Sequence, residues 1–527
     1  MNLFAQKNRT YLFGLFVILV INLWLRHPAA QTAGFHNEDV AGIAYSAQLL
    51  HSGGLPLIDT LELKAPGSFF LAAIVWLFCP MTIESLQWAG IFWSTLALLG
   101  IFVGGRQLFG PMAACLSATL YLMLAPIMDS MDVNYGAWMI TPYIWSFVCF
   151  TFFTQTQQSK WLVATGILLA IAGLLKRQGA VLTPLYFLFL LASVYRDRDG
   201  ISASFKTLIR LSLPLCIGLA LGFMPIFLFY ASKGALTEFT HHYFFSPGGW
   251  NYLDTLSWPE KRVRLSDGVL GFLEYGALAT VLAILAVVSR GLQQLTRFRN
   301  HLDRETQSWL LLGGLLVVSI LGLSLGFRFF KGYYLQTLPA LVWMAGASAG
   351  IIGLVSERGH LLKCLITAGL LAAICSPFIQ TDVQALTEIR RQRHTARDLG
   401  AQRIAAQIKA NTNTTDRIWV WGRAAWPIYV HAERLAATRY PKTLAVFTTN
   451  LTNTWRRGTK PTTFEPRSDW RTLIEELKRD KPAYIVLAHN ERYSKFSALH
   501  SLLRRRYRKA PSPTRGFSVY AIKKSWM

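Results

Sequence analysis

The sequence predicts a mainly α-helical polytopic membrane protein with about eleven transmembrane helices and a C-terminal α/β extracytoplasmic domain. Three observations carry that expectation. Apolar residues make up 52% of the 527 and are gathered in long runs almost free of charge, basic residues recur in alternate connections, and the chain changes character near residue 381. Runs such as "YLFGLFVILVINLWL", "WLVATGILLAIAGLL" and "LLLGGLLVVSILGLSLGF" suit hydrocarbon, where a helix satisfies every backbone polar group internally.

Spans are expected near 11–26, 86–104, 111–127, 138–154, 161–175, 179–195, 208–231, 267–289, 308–327, 333–355 and 361–380. Lys7 and Arg9 precede the first, but no small-x-small cleavage site follows, so it reads as an uncleaved anchor rather than a signal peptide. "SFFLAAIVWLFC" after Gly67 is too short to cross and is expected to lie at the outer interface. The connections "YRDRDGISASFK", "RGLQQLTRFRNHLDR" and "SERGHLLK" then share one side with the N-terminus, which the positive-inside rule makes cytoplasmic. The chain thus divides into a membrane domain, 1–380, with its first outer loop at 27–85, and an outer domain, 381–527.

In that second part, "DRIWVWG", "PAYIVLA" and "GFSVYAIKK" read as short strands. "LTEIRRQRHTARDLGAQRIAAQIKA", "WRTLIEELKRD" and "KFSALHSLLRRRY" read as helices, an alternation that points to a small α/β domain. Of the net charge of +25, most sits here, with 29 Lys or Arg against 11 Asp or Glu in 381–527. Beside a bilayer such a surface suits anionic head groups or phosphate-bearing lipids, and membrane lipids rather than nucleic acid are the expected partners. No glycine-rich nucleotide motif is present, and the six cysteines show neither zinc-ligand spacing nor a disulfide framework, so no metal-ligating set is read.

Polar clusters punctuate the outer connections. The first loop holds Glu38, Asp39, Asp59, Glu62 and Lys64, and later ones hold Asp129 and Asp132, Lys176 and Arg177, and Arg328 and Lys331. For Asp39 the structural alternative is a helix cap ahead of "VAGIAYSAQLL". Charges at a bilayer edge are costly unless paired or used. A carboxylate can act as general base while Lys or Arg stabilises a departing phosphate, a combination suited to transfer from a lipid phosphate whose chain stays in the bilayer.

The order of an outer acid, "Y..AQLL..GGLPL.D", "K.PG" before a short apolar helix, and "GRQLFG" after the next span resembles the GT-C membrane glycosyltransferases. The likeness is closest to the branch of protein O-mannosyltransferases, lipid A aminoarabinose transferases and Rgt-type sugar transferases. "RFFKGYYLQTLPAL" is similar to that branch's later outer-loop motif, and "DRIWVWGRAAWPIYVHAERLAATRY" resembles the tail motif of Rgt-type members.

The resemblance implies that Asp39 is the catalytic base, with Glu38 as the neighbouring alternative. It makes Lys64 and Lys176 the phosphate-binding lysines, with Arg177 beside Lys176 and Arg328 and Lys331 in the later motif. Asp129 or Asp132 would shape the sugar pocket; apart from the resemblance, Tyr333 is a candidate to stack on the sugar, with an interfacial aromatic belt as the commoner explanation. The implied donor is a polyprenyl-phosphate sugar, and the implied outcome is inversion on the extracytoplasmic face of the inner (plasma) membrane. Two positions depart from the pattern: Ala65 replaces the first proline of the usual pair, and Gly332 stands where many members have histidine. His241 and His242 could supply that histidine but read as interfacial residues, as do Trp250, Tyr252 and Tyr334.

A lipid-linked sugar transporter or flippase is the alternative, although transporters place charges near the midplane and often carry inverted repeats, which this chain lacks. A non-catalytic sensor is a third reading. The sugar, the acceptor (glycan, lipid or protein) and any divalent metal are not written in the sequence.

Overall fold

The computed structural model describes residues 2–62, 64–196, 201–245, 257–297, 304–325, 327–349, 361–422, 425–443, 446–448, 462–489 and 492–526. It divides into two compact units.

The first unit comprises 1–31, 87–233 and 249–394. Its helices are α1 (Asn2–Ala30), most of α4 (Ile83–Phe109), α5 (Pro111–Ala125), α6 (Tyr135–Thr156), α7 (Ser159–Leu175), α8 (Thr183–Arg196), α9 (Ile201–Ser232), α10 (Trp258–Arg297), α11 (Arg304–Ser324), α12 (Leu338–Ala347) and α13 (Leu361–Gln392). Among the described residues, seven helical segments are long and apolar enough to cross a membrane, and they match the expected spans near 11–26, 86–104, 111–127, 138–154, 208–231, 267–289 and 308–327. The other four expected spans fall on α7, α8 and α12, which are each under 18 residues long, the end of the span expected near 333–355 lying outside the described residues, and on the first part of the longer α13. Two boundaries differ from expectation. α10 begins at Trp258, nine residues before the apolar stretch, and α13 continues past 380 to Gln392, because amphipathic sequence extends each helix beyond its apolar core.

Close backbone approach shapes this unit. A Cβ at Gly218 would stand 2.1 Å from the Val163 carbonyl oxygen and one at Gly166 would stand 2.3 Å from that of Leu215, so α7 and α9 cross with little side chain between them. On α10, Gly268 accommodates the Phe329 ring and Gly271 the Tyr334 hydroxyl, which donates to the Gly268 carbonyl at 2.7 Å. Tyr334 is thus fully buried packing rather than the interfacial residue expected from the sequence.

The second unit is assembled from 32–86, 234–248 and 395–527. Its first stretch carries α2 (Glu38–His51) and α3 (Gly67–Phe78), the latter a 12-residue helix about 18 Å long, too short to cross a bilayer. The last stretch carries α14 (Leu399–Ala410), α15 (Ala425–Ala432), α16 (Trp470–Asp480) and α17 (Ser497–Arg506) around a sheet of β1 (Ile418–Trp421), β2 (Tyr484–Ala488), β3 (Tyr507–Ala510) and β4 (Phe517–Ile522). Strand order is β1-β2-β4-β3; β1 and β2 are parallel and the other pairs antiparallel. The expected strands are present, as are the helices expected over "WRTLIEELKRD" and "KFSALHSLLRRRY", whereas the helix expected over 386–410 is broken between Gln392, where α13 ends, and Leu399, where α14 begins. β3 and α15 add to them: β3 is a four-residue edge strand whose run of basic residues masks it in the sequence.

Trp419, Trp421, Phe447, Phe464, Leu477 and Phe496 form the core of this unit. α2 packs on α15 through Tyr45, whose ring centroid lies 5.1 Å from that of Trp426 and 5.2 Å from that of Tyr429. The Tyr45 hydroxyl accepts from the Ala436 N–H at 3.0 Å, and the Leu61 N–H donates to the Arg439 carbonyl at 2.8 Å. The acid-bearing loop and the C-terminal sheet therefore share one packed body.

Candidate functional site

In the second unit, Asp39 and Lys64 come together. Asn37 sits in extended backbone at the N-cap of α2 and its side chain accepts from the Asp39 N–H at 2.9 Å, so the capping role weighed for Asp39 is filled by Asn37. Asp39 is released to the second helical position with its side chain 48% exposed, and Lys64 Nζ donates to Asp39 Oδ1. A helix N-terminus and an ammonium group both favour negative charge there. Lys64 is set by the "KAPG" turn: Pro66 caps α3, Ala65 is buried beneath it, and the Phe69 N–H donates to the Pro66 carbonyl at 2.9 Å.

The other acids of the loop have structural work. Asp59 Oδ2 accepts from the Leu55 N–H at 2.7 Å and closes a turn, while buried Glu62 lies 3.9 Å from Lys442 Nζ. Glu38 occupies the first turn of α2. His241 and His242 sit side by side in a short π-turn, and partial burial together with the neighbouring imidazole lowers the pKa of His242. Trp250 and Tyr252 lie outside the described residues.

In the first unit, a second cluster forms around Asp129. Pro126–Ser130 is a π-turn in which Asp129 takes left-handed φ 65°, and Asn134 Nδ2 ties its carbonyl at 2.6 Å while capping α6 through the Ala137 N–H. Lys331 Nζ stands 3.6 Å from Asp129 Oδ1. Lys176, at the C-cap of α7, places its ammonium 4.3 Å from the Tyr333 ring centroid, a cation–π arrangement. Arg177 opens the following 3₁₀ turn. Arg328 lies between Phe327 (φ 51°) and Phe329 (φ 44°), a conformation that costs bulky side chains of order 1–3 kcal/mol each and persists only where packing over-determines it.

Asp132 behaves differently from Asp129. Its carboxylate is 2% exposed and ion-paired with Arg393, on the residues that follow α13. Beneath it, buried Arg26 donates to Asn22 Oδ1 (2.9 Å), the Ser130 carbonyl (2.5 Å) and Ser130 Oγ (3.0 Å). A cavity of about 20 Å³ adjoins Arg26, Asp132 and Trp138, room for a single water and not for a sugar. Of the two acids expected near the sugar, Asp129 is the accessible one and Asp132 braces the loop beneath it. Sequence reasoning missed Arg26, Asn37 and Arg393. An arginine closing an apolar span and an asparagine directly ahead of Glu-Asp were the available signals.

Among the described residues no group of three or more His, Cys, Asp or Glu is placed to hold a metal ion.

A family model described as dolichyl-phosphate-mannose-protein mannosyltransferase matches residues 64–220, which include Lys64, Asp129, Asp132, Lys176 and Arg177 and leave Asp39 ahead of the match. Among solved structures, ArnT from Cupriavidus metallidurans in the apo state is 13% identical, with 99% of each chain covered and a TM-score of 0.59. The same protein bound to undecaprenyl phosphate gives a TM-score of 0.57 at 13% identity, again with 99% of both chains covered. The archaeal oligosaccharyltransferase AglB from Archaeoglobus fulgidus, in complex with an inhibitory peptide and a dolichol-phosphate, is 13% identical over 98% of this chain and 75% of its own, with a TM-score of 0.57. No curated protein matches the sequence significantly. The fold is that of ArnT and AglB, and the family match over 64–220 agrees with the GT-C resemblance of the sequence motifs.

Proposed function

We propose that this chain is an integral membrane glycosyltransferase that moves a monosaccharide from a polyprenyl-phosphate donor to an acceptor on the extracytoplasmic face, with inversion at the anomeric carbon. The observation that carries the reading is Asp39, relieved of capping by Asn37, accessible, and paired with the lysine of the "KAPG" turn. The GT-C fold, the mannosyltransferase family match and the lipid phosphates named with ArnT and AglB support a lipid-linked donor.

In this mechanism Asp39 takes the proton of an acceptor hydroxyl as its oxygen bonds to the anomeric carbon. The bond from that carbon to the phosphate oxygen breaks on the opposite face, and the electron pair leaves with polyprenyl phosphate. Lys64 is shared between Asp39 and a phosphate oxygen that gains charge as the bond breaks. Lys176, Arg177, Arg328 and Lys331 are assigned to donor phosphate binding, Asp129 to the sugar pocket and Tyr333 to stacking. The acidic Asp129 beside Lys331 suits hydroxyl recognition, because a carboxylate accepts from two sugar hydroxyls.

The deciding experiment measures polyprenyl phosphate released from a panel of polyprenyl-phosphate sugars by the protein in lipid with a crude envelope extract. Wild type is expected to release it from one donor, and Asp39→Asn to turn over roughly 10²–10⁴-fold more slowly with donor KM little changed. Normal turnover by Asp39→Asn removes the base assignment, whereas donor crossing sealed vesicles without release selects the flippase reading.

A further inference from the structure

We propose that the basic rim of the C-terminal sheet is a docking surface for an acceptor glycan bearing clustered phosphate groups. The word acceptor rests on the transferase reading; the binding surface itself does not.

Residues 492–527 contain ten Lys or Arg and no Asp or Glu. Folding gathers most of them in one place. The end of α17 supplies Arg504, Arg505 and Arg506, the edge strand β3 supplies Arg508 and Lys509, the turn after β4 supplies Lys523 and Lys524, and the left-handed residue ending α16 supplies Lys481. Lys523 ties these elements together: its N–H donates to the Arg506 carbonyl at 3.0 Å, and its Nζ to the carbonyls of Arg504 (2.9 Å) and Arg505 (3.2 Å). The Trp526 ring has the Arg506 guanidinium 5.1 Å and the Lys481 ammonium 6.0 Å from its centroid. Among the described residues none of these eight cations is ion-paired, and Asp480, next to Lys481, is occupied by Arg479 at 2.8 Å.

Ordinary structural needs explain individual positions. Basic residues at the end of α17 complement its dipole, and charges on an edge strand prevent strand addition. Neither need requires that carboxylates be absent, and a surface of mixed sign would serve both without the mutual repulsion of eight like charges. Unneutralised cations held on tied elements match a ligand that brings several negative charges at once, and the four guanidinium groups offer paired N–H donors suited to phosphate oxygens. A face that settles into a bilayer carries apolar side chains for the acyl boundary. Beyond Leu399 no large apolar side chain is exposed among the described residues, which favours a glycan over a lipid surface.

The test uses the whole protein in phosphatidylcholine nanodiscs, titrated with inorganic tripolyphosphate as probe in a calorimeter at rising salt. Wild type is expected to bind with affinity that falls as salt rises, and the triple variant Arg505→Gln/Arg508→Gln/Lys524→Gln to bind roughly tenfold or more weakly. A matched triple elsewhere on the domain, Arg403→Gln/Arg471→Gln/Lys495→Gln, is expected to bind as wild type does. Equal loss in both triples, or no wild-type binding, overturns the proposal. So does abolition of binding when phosphatidylglycerol replaces phosphatidylcholine, because bilayer head groups would then occupy the rim. No step requires sugar transfer, so failure of the transferase reading would show separately as absent polyprenyl phosphate release with tripolyphosphate binding intact.

Discussion

At the scale of single residues, the division of labour among neighbouring acids is decided by what else is available to do structural work. Asn37 takes the cap, Asp59 closes a turn and Glu62 faces Lys442, which leaves Asp39 with Lys64. Asp129 and Asp132 separate in the same way: Arg393 claims the buried one and leaves the other beside Lys331. A residue-scale prediction follows for Lys64. Because it is assigned to the phosphate in both ground and transition states, Lys64→Gln should raise donor KM and lower kcat, in contrast to Asp39→Asn. Steady-state kinetics over a donor titration separate the two, and an unchanged donor KM for Lys64→Gln would remove its phosphate role. The sequence pointed to these residues by motif, yet it could not say which acid would meet which cation or stay accessible, since capping and ion pairing depend on groups up to 261 positions apart.

At the scale of elements, glycines mark where loops must sit close to helices. The strained segment around Arg328 is held because Phe329 and Tyr334 lie in the groove left by Gly268 and Gly271 on α10. A Cβ at Gly271 would stand 2.1 Å from the Tyr334 hydroxyl, so Gly271→Ala forces that ring outward and breaks its bond to the Gly268 carbonyl. We expect a loss of about 1–3 kcal/mol in stability, read by thermal unfolding in detergent, with a further drop in turnover as the loop carrying Arg328 and Lys331 shifts. Unchanged melting and turnover would show that the groove is not what holds the loop. Apolar run length located these helices, seven of them long and apolar enough to cross a membrane among the described residues, and the structure extends helices beyond the expected ends at Trp258 and Gln392, where amphipathic turns continue past the apolar stretch.

At the scale of the whole molecule, the second unit is notable for being built from three separated stretches of chain. Tyr45 is one of its joints, buried against Trp426 and Tyr429, and burial pushes its phenol up from 10.0 to about 12. A folded-state pKa above the unfolded one means that this stabilisation is complete below pH 10 and is lost as pH rises toward 12. The amount is about 2–3 kcal/mol for Tyr45 alone, and other buried tyrosines of the unit, Tyr429 among them, add in the same direction. Unfolding followed by tryptophan fluorescence between pH 10 and 12 should therefore show a smaller alkaline loss for Tyr45→Phe than for wild type. Equal losses would mean that Tyr45 does not stay buried as this joint.

The sequence by itself determined that the chain is a helical membrane protein with a small α/β tail, and it placed the GT-C motifs in order, because apolar run length, period and short motifs are local properties. Tertiary structure alone decided that the acid-bearing loop and the tail form one unit, that Asp39 is accessible and paired with Lys64 while Asp132 is buried, and that the last basic residues gather on one rim. Each of those depends on pairings between distant stretches of chain, and local pattern carries no record of which partner a charge or a phenol will meet.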